Sequence, residues 1–388
     1  MNKKNVYIIG SKGIPAKYGG FETFVEKITE YQKSDNIQYH VACMKENSAK
    51  SNIIAKHFDY NGADCFNISV PSIGPAKAIY YDIIALNYAL NLAKTNNDAN
   101  PIFYVLACRI GPFIGYFKKQ IAKINGTLFV NPDGHEWLRE KWSKPVRTYW
   151  KFSEKIMVKH SDLLICDSLN IEKYILTDYK IYQPKTKYIA YGTDLQSTKL
   201  TKTSNEVTEW YSSKKVTEKN YYLIVGRFVP ENNLELIIKE FMASNTQKDL
   251  VIISNVEQND FYNKLLNKTM FDNDNRIKFV GTVYNQELLK YIRENAYAYI
   301  HGHEVGGTNP SLLEAMACTH INLLLDVGFN REVGRNSTLY FPKEENGLKE
   351  IINSIETKNY DYLKPRKEIE ERYTWEKISD TYEKIFTI

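Results

Sequence analysis

The sequence lacks long apolar runs and has few cysteines. No apolar stretch approaches the roughly 20 residues of a membrane-spanning helix, so we expect no transmembrane segment. The polar start, Met1-Asn2-Lys3-Lys4, leads directly into an apolar strand and does not resemble a signal peptide. The scattered cysteines argue against disulfides or a zinc site and favour a reducing cytoplasm. These cysteines are Cys43, Cys65, Cys108, Cys166 and Cys318.

Several ligand-binding motifs are missing as well. The spaced three-glycine fingerprint of dinucleotide-binding proteins and the P-loop lysine pattern do not occur. Nothing resembles a nucleic-acid-binding module, so we expect no nucleic-acid partner. The D-x-D string Asp272-Asn273-Asp274 lies in a polar stretch. We interpret it as a turn and expect no metal.

The charge of the chain is unevenly distributed. Its 388 residues suffice for two domains, and the formal net charge is +5. Residues 1–195 contain 26 Lys and Arg against 18 Asp and Glu, whereas residues 196–388 contain 25 against 28. The first half therefore favours an anionic partner or surface.

Apolar runs alternate with helical segments along the chain. The runs at 6–9, 102–107 and 221–225 predict strands, whereas 144–160 and 375–386 have helical periodicity. This alternation is typical of parallel sheets covered by helices on both faces. We predict an α/β protein with two doubly wound domains and a ligand cleft between them. The predicted ranges are 1–195 for the first domain, 196–219 for a polar linker and 220–370 for the second domain.

The segment 302–317 (G-H-E-V-G-G-T-N-P-S-L-L-E-A-M-A) carries the clearest site signal. An apolar strand precedes it, and Asn309-Pro310-Ser311 is a helix start. Glycine amides and a helix N-terminus together suit a diphosphate. The predicted contacts are Gly307, Thr308, Asn309, Ser311 and, one turn into the helix, Glu314, whose carboxylate suits a pair of sugar hydroxyls. A purely structural turn is the alternative.

A second signal in the same half is Gly226-Arg227, directly after a predicted strand. At that sheet edge Arg227 is suited to grip a phosphate with two hydrogen bonds. A solvated surface arginine is the alternative interpretation.

Two loops of the first half carry polar groups at strand ends. Gly19 and Gly20 precede Phe21 and Glu22, and their amides suit an anion or a sugar, although a plain turn fits too. The second loop, N-P-D-G-H-E-W, contains Asp133, His135 and Glu136 in a Pro/Gly turn. This density of titratable groups indicates substrate contact, and Asp133 is the strongest single candidate.

The motifs together resemble a known enzyme group. G-I-P-A-K-Y-G-G-F-E-T, D-G-H-E-W-L-R-E-K-W, G-R-F-V-P-E-N-N and G-G-T-N-P-S-L-L-E-A-M are similar to those of retaining GT-B glycosyltransferases of the glycogen synthase and mannosyltransferase group (family 4). Within it the chain most resembles rhamnosyltransferases of capsular and cell-wall polysaccharide assembly. The resemblance spans nearly the whole chain, including a final segment, 371–388, that in this family crosses back to the first domain.

The resemblance implies a hexosyltransferase with two Rossmann-like domains. It implies a nucleoside-diphosphate sugar as donor, dTDP-rhamnose in particular, held by the second domain, with no cofactor or metal. It implies a polyprenyl-diphosphate-linked saccharide as acceptor, held by the first domain, and a peripheral location on the cytoplasmic face of the plasma membrane. Asp133 and Arg227 are the expected catalytic residues. A sugar-nucleotide epimerase or hydrolase and a non-catalytic sugar-nucleotide sensor are the alternatives.

Two positions depart from the family pattern. The group has two glutamates separated by seven residues, and here the first position is Gly306. The group also has a lysine after the Gly-Arg pair, and here that position is Asn232. These losses fit a donor unlike glucose or mannose, and they also fit an impaired enzyme.

The segment 144–160 combines basic and aromatic residues. Its cations recur every three or four residues and therefore predict one basic helical face, suited to an anionic membrane. A solvated face is the alternative. The predicted membrane contacts are Lys144, Arg147, Lys151, Lys155 and Lys159.

Overall fold

The computed structural model describes residues 3–17, 19–139 and 142–387. It forms two compact units. The first comprises Met1–Gly192, Gly306–Thr308 and Trp375–Ile388, and the second comprises Thr193–Val305 and Asn309–Thr374.

The first unit is built on a mainly parallel sheet. Its strands are β1 (Lys4–Ile9), β2 (Ile37–Met44), β3 (His57–Tyr60), β4 (Ala63–Ile68), β5 (Ile102–Leu106), β6 (Thr127–Asn131), β7 (Leu163–Cys166) and β8 (Thr186–Tyr188). They lie in the order β3-β4-β2-β1-β5-β6-β7-β8, and only β3 is antiparallel to its neighbour in this described sheet. Every residue of β5 is buried, as expected for a strand covered on both faces.

Helices cover this sheet, and they come from both ends of the chain. They are α1 (Gly20–Glu30), α2 (Lys45–Ala49), α3 (Lys77–Thr95), α4 (Gly111–Ala122), α5 (Lys144–His160), α6 (Leu169–Asp178) and the last helix of the chain, α15 (Trp375–Phe386). Helix α15 belongs to the first unit because Glu383 accepts the Lys33 and Ser34 amides at 2.6 and 3.1 Å. Its Tyr382 and Phe386 are buried there.

The second unit is a doubly wound parallel sheet. Its strands are β9 (Tyr221–Val225), β10 (Asp249–Ile253), β11 (Ile277–Gly281), β12 (Ala298–His301), β13 (Asn322–Leu325) and β14 (Leu339–Phe341). Their order, β11-β10-β9-β12-β13-β14, is that of the Rossmann fold. Its helices are α7 (Asn205–Lys214), α8 (Leu234–Met242), α9 (Asp260–Thr269), α10 (Gln286–Glu294), α11 (Pro310–Cys318), α12 (Gly328–Gly334), α13 (Gly347–Ile355) and α14 (Pro365–Arg372).

Segment 196–219 is not the loop that its polar composition predicts. It contains α7, whose Val207 and Trp210 are buried in a core cluster with Tyr221 and Leu223 of β9. The alternate β9 residues join a second cluster with α8, so apolar helices cover both sheet faces. A few well-spaced apolar residues therefore outweigh the polar composition of this segment.

Candidate functional site

The second sheet has one topological switch point, between β9 and β12. After β9 the chain adds β10 and then β11 on one side of β9. It then crosses over and places β12 on the other side of β9. Loops at such a point diverge and leave a crevice beyond the carboxyl ends of the strands. The loop after β9 begins with Gly226-Arg227, and the loop after β12 leads to Asn309-Pro310-Ser311. The fold thus brings together two of the motifs found in the sequence.

The N-terminus of α11 is fixed to the end of β9. The Asn309 carboxamide accepts the Ser311 amide at 3.0 Å, so Asn309 caps the helix as predicted. The Ser311 hydroxyl donates to the Val225 carbonyl at 3.0 Å and lies 3.1 Å from the Tyr299 hydroxyl. The predicted donor contact Ser311 thus anchors the helix start beside the Gly226-Arg227 turn.

Arg227 projects from this turn and is exposed. No ion pair or side-chain hydrogen bond of Arg227 occurs among the residues that the structure describes. Its carbonyl accepts the Asn232 carboxamide at 2.6 Å, and the other end of that carboxamide lies 2.7 Å from His303 Nδ1. Asn232, where the family has a lysine, therefore links the loops after β9 and β12 and shapes the turn that presents Arg227.

Glu314 has a partner that the sequence did not reveal. Its carboxylate lies 2.6 Å from a guanidinium nitrogen of Arg293, whose side chain is 3% exposed, whereas that of Glu314 is 37% exposed. Arg293 also reaches the Ser311 hydroxyl at 3.4 Å. The ion pair with the buried Arg293 guanidinium fixes the orientation of the Glu314 carboxylate. Arg293 lies on α10, 21 positions before Glu314, and no sequence period connects the two.

His301 is the last residue of β12, and its side chain is buried. Burial, followed by the charge of His303, lowers its pKa to about 3. His301 is therefore neutral at physiological pH.

The Gly-Gly-Thr loop before α11 has an unusual backbone. Gly306 has φ +131°, a region that side chains rarely adopt. A glutamate at this position would be strained, so the departure from the family pattern is built into the backbone. Gly306, Gly307 and Thr308 are grouped with the first unit, and Thr308 is buried.

In the first unit, the loop after β1 is organised by Glu22. The Glu22 carboxylate is buried and accepts the Lys12 amide at 2.7 Å. Gly19 has φ +130°, and a Cβ at this position would lie 1.9 Å from that carboxylate. Gly20 begins α1 and is exposed, and Phe21 is half-buried. Glu22 is thus engaged in shaping its own loop.

Asp133 lies at the carboxyl end of β6 in a left-handed conformation with φ +59°. Its amide donates to the Asn131 carboxamide at 2.8 Å, and its own carboxylate accepts the Gly134 amide at 2.9 Å. Burial raises the pKa of Asp133, as does the charge of Glu136, whereas Arg139 and Arg109 oppose the shift. Arg109 was not singled out from the sequence. It follows β5 and forms an ion pair of 3.1 Å with the buried Asp82.

His135 and Glu136 are held by neighbouring side chains. The His135 ring lies 4.3 Å from that of Tyr174, and burial, followed by the charge of Lys151, lowers its pKa. Glu136 pairs with Arg139 and accepts the Trp142 indole N–H at 2.9 Å.

The basic residues of α5 do not form a single exposed face. Lys151 lies over the Trp137 ring at 4.3 Å and hydrogen-bonds the Tyr174 hydroxyl, and Arg147 donates to the Trp137 carbonyl at 2.7 Å. These two cations point toward the 136–138 turn and α6, where aromatic rings and carbonyls attract them. The exposed stripe is instead Lys144, Thr148, Phe152, Lys155 and Lys159.

The described residues contain neither a membrane-spanning helix nor a cluster of metal-ligating side chains. Within residues 3–17, 19–139 and 142–387, no helix is long and apolar enough to cross a bilayer. Over the same ranges no three His, Cys, Asp or Glu side chains cluster as metal ligands would. Asp274 of the D-x-D string instead pairs with Arg276 at 2.6 Å, and all five cysteines are free.

Solved structures share this fold over the full chain. Anabaena HepE in complex with UDP is 14% identical, with a TM-score of 0.69 over 99% of both chains. Sucrose-phosphate synthase of Thermosynechococcus elongatus is 15% identical, with a TM-score of 0.75 over 99% of this chain and 98% of that one. A Rickettsia africae glycosyltransferase is 14% identical, with a TM-score of 0.73 over 100% and 98%. The expected GT-B fold of two Rossmann-like domains is confirmed.

Two family models match the sequence. Residues 208–373 match Glycosyl transferases group 1, and residues 3–194 match a domain of unknown function, DUF1972. No curated protein matches the chain in sequence. The glycosyl transferases group 1 match thus covers most of the second unit, whereas the first unit matches a domain without an assigned function.

Proposed function

We propose that this protein is a glycosyltransferase that moves L-rhamnose from dTDP-rhamnose to a saccharide carried on polyprenyl diphosphate, in the synthesis of a bacterial capsule or cell-wall polysaccharide. The donor nucleotide binds the second unit, and the acceptor binds loops of the first. A donor of the nucleoside-diphosphate type is supported by Anabaena HepE, which has been solved with UDP and with UDP-glucose. The motif resemblance supports rhamnose as the sugar.

The observation that carries the proposal is the switch point of the second sheet. An exposed arginine, Arg227, stands at the end of β9, and the N-terminus of α11 is pinned to the same strand end by Ser311. A guanidinium and the positive N-terminal end of a helix dipole both attract a diphosphate. The Gly307 and Thr308 amides directly precede this helix in the chain and add donors to the same proposed site.

Catalysis then rests on stabilising the leaving group. As the bond between the sugar and the diphosphate breaks, negative charge grows on the departing phosphate. Arg227 and the positive N-terminal end of the helix stabilise that charge more in the transition state than in the ground state. The acceptor hydroxyl attacks from the face that the leaving group vacates, and its proton passes to the leaving phosphate. The configuration of the sugar is retained, and neither a protein nucleophile nor a metal is required.

Other residues orient the two substrates. Glu314, held by Arg293, has one carboxylate oxygen left to accept a hydrogen bond from the ribose of the nucleotide. Asp133, whose pKa is raised by burial, contacts the acceptor or the transferred sugar together with His135 and Glu136. The Gly19–Glu22 loop borders the acceptor region.

The departures at Asn232 and Gly306 support a donor other than glucose or mannose. Asn232 replaces a phosphate-binding lysine and leaves Arg227 as the cation of that turn. Gly306 supplies no carboxylate for the polar hydroxyls of a hexose. A 6-deoxysugar such as rhamnose lacks one of these hydroxyls and needs fewer polar contacts.

A panel of nucleotide sugars, incubated with the protein and a membrane extract, tests the proposal. Transfer from dTDP-rhamnose to a lipid-linked product is the expected result. Nucleotide release without any acceptor would instead favour a hydrolase or epimerase. Tight donor binding without turnover on any acceptor would favour a sensor.

A further inference from the structure

Helices α4 and α5 pack closely enough to share one outer surface. The Gly111 amide donates to the Ser153 hydroxyl at 2.8 Å, and a Cβ at Gly111 would lie 2.3 Å from the Ser153 carbonyl oxygen. Further along, a Cβ at Gly115 would lie 3.4 Å from His160 Nε2. The two glycines allow close approach of the helices, so their outward-facing residues lie side by side.

The outward faces carry the same two kinds of side chain. On α4 the exposed residues Phe113, Tyr116 and Lys119 are spaced by three, and on α5 Phe152, Lys155 and Lys159 are spaced by three and four. The aromatic residues Phe113, Tyr116 and Phe152 are 47, 61 and 52% exposed. We call these six residues the α4–α5 surface.

The charge on these two helices has one sign. Helix α4 contains no acidic residue, and the only one in α5, Glu154, is buried and accepts hydrogen bonds from the Tyr174 and Tyr179 hydroxyls. Lys118 is neutralised by Asp162 beside the surface.

Lysines of both helices lie near one titratable side chain, His160. Burial and the charges of Lys159, Lys118 and Lys119 all lower the pKa of His160. The positive fields of α4 and α5 therefore overlap.

We propose that the α4–α5 surface is the site at which this protein docks on an anionic lipid bilayer. Exposed aromatic rings insert at the level of the headgroups while lysines bind anionic lipids, and each helix supplies both. A patch of lysines alone fits any polyanion, but bulky exposed aromatic side chains among them favour an interface with an apolar layer. The surface differs from the stripe predicted from the sequence: it adds residues of α4 and leaves out Lys144, Arg147 and Lys151. Its use in reaching a lipid-linked acceptor rests on the proposed function.

Vesicle co-sedimentation of the full chain tests the docking directly. The variant Lys119→Glu/Lys155→Glu/Lys159→Glu is compared with the control Lys214→Glu/Lys264→Glu/Lys358→Glu, which makes the same charge change at exposed lysines of the second unit. With vesicles of equal phosphatidylglycerol and phosphatidylcholine, the first variant should bind at least about a hundredfold more weakly than the parent, because each basic residue contributes about a factor of five. The control should bind nearly as tightly as the parent. Its lower net charge weakens the long-range attraction to the vesicles, and salt screens this difference.

The aromatic part of the surface has its own test. Phe113→Ser/Phe152→Ser leaves the charge unchanged and should weaken binding by about tenfold or more, because buried phenyl area is lost. This loss should persist at high salt, whereas the loss from the lysine variant should shrink. Both side chains are about half exposed, so the variants should keep the circular dichroism of the parent.

Several results would overturn the docking proposal. They are failure of the parent to bind anionic vesicles, binding of the lysine variant equal to that of its control, and tighter binding of a single-stranded oligonucleotide than of vesicles at equal salt. Self-association that the Phe variant abolishes would assign the surface to a second copy of the chain. These assays contain no sugar donor, so vesicle binding without sugar transfer would leave the docking intact and refute only the proposed function.

Discussion

Replacing Glu314 with glutamine should destabilise the second unit as well as weaken nucleotide binding. The substitution keeps the size of the side chain and removes its charge, which leaves the Arg293 guanidinium with no carboxylate within 4 Å in the described chain. Arg293 is almost fully buried, so water cannot replace the lost partner.

The magnitude follows from the burial of the two groups. Breaking a fully buried ion pair costs about 3–5 kcal/mol, whereas exposed pairs contribute roughly 0–1 kcal/mol. Here the Arg293 side chain is 3% exposed and that of Glu314 is 37% exposed. We therefore expect the free energy of unfolding to fall by about 2 kcal/mol. Arg293→Met/Glu314→Gln should recover part of this loss, because it leaves neither charge unpaired.

Denaturant unfolding of the two variants, with Glu209→Gln as control, measures the effect. Glu209 is an exposed residue of α7 without an ion pair in the described structure. Its replacement should therefore change the free energy of unfolding by less than about 0.5 kcal/mol. If Glu314→Gln and Glu209→Gln have the same free energy of unfolding, the ion pair of Arg293 with this carboxylate does not stabilise the fold. If nucleotide affinity then also equals that of the parent, Glu314 has no role in the donor site.

Four further predictions follow from the site residues. Arg227→Ala should lower kcat roughly a hundredfold, about 3 kcal/mol of transition-state stabilisation, in steady-state assays of sugar transfer. Asp133→Asn should abolish turnover yet bind the donor normally in titration calorimetry, because it lies in the first unit. His301 stays neutral in the folded protein with a pKa of about 3, whereas it titrates near 6.5 once unfolded, so acidification from pH 6.5 to 4.5 should cost about 2–3 kcal/mol of stability that His301→Gln does not lose. Gly306→Glu should reduce both thermal stability and activity rather than restore a family contact, because φ is +131° at this position.

Each of these predictions has a clear contrary result. Near-parental turnover of folded Arg227→Ala would remove it from the leaving-group site, and loss of donor binding in Asp133→Asn would place that residue near the nucleotide. An equal acid sensitivity of parent and His301→Gln would assign the pH dependence to other groups. A gain of activity in Gly306→Glu would show that the loop tolerates a side chain there.

The sequence predicted the regular parts of the fold well. The strand at 221–225 and the helices at 144–160 and 375–386 are confirmed with the predicted bounds, because long apolar periods dominate local structure there. It did not reveal α7, whose apolar residues are few, or the short strands β13 and β14. The cap at Asn309 was predictable because capping is local.

Side-chain contacts between elements that are distant in the chain could not be predicted from the sequence. Arg293 meets Glu314 only because α10 and α11 pack together, and Lys151 turns toward Trp137 because aromatic rings surround it. A basic helical period indicates which residues share a face. It does not indicate which of them a neighbouring element covers, so the exposed stripe of α5 had to come from the structure.

The most direct test of the proposed function is the product formed from dTDP-rhamnose, membrane extract and this protein, analysed by mass spectrometry beside Arg227→Ala. We expect a lipid-linked saccharide heavier by one deoxyhexose in the parent reaction, formed at a rate about a hundredfold lower with the variant. Equal product from both proteins, or no deoxyhexose product while another nucleotide sugar is transferred, would contradict it.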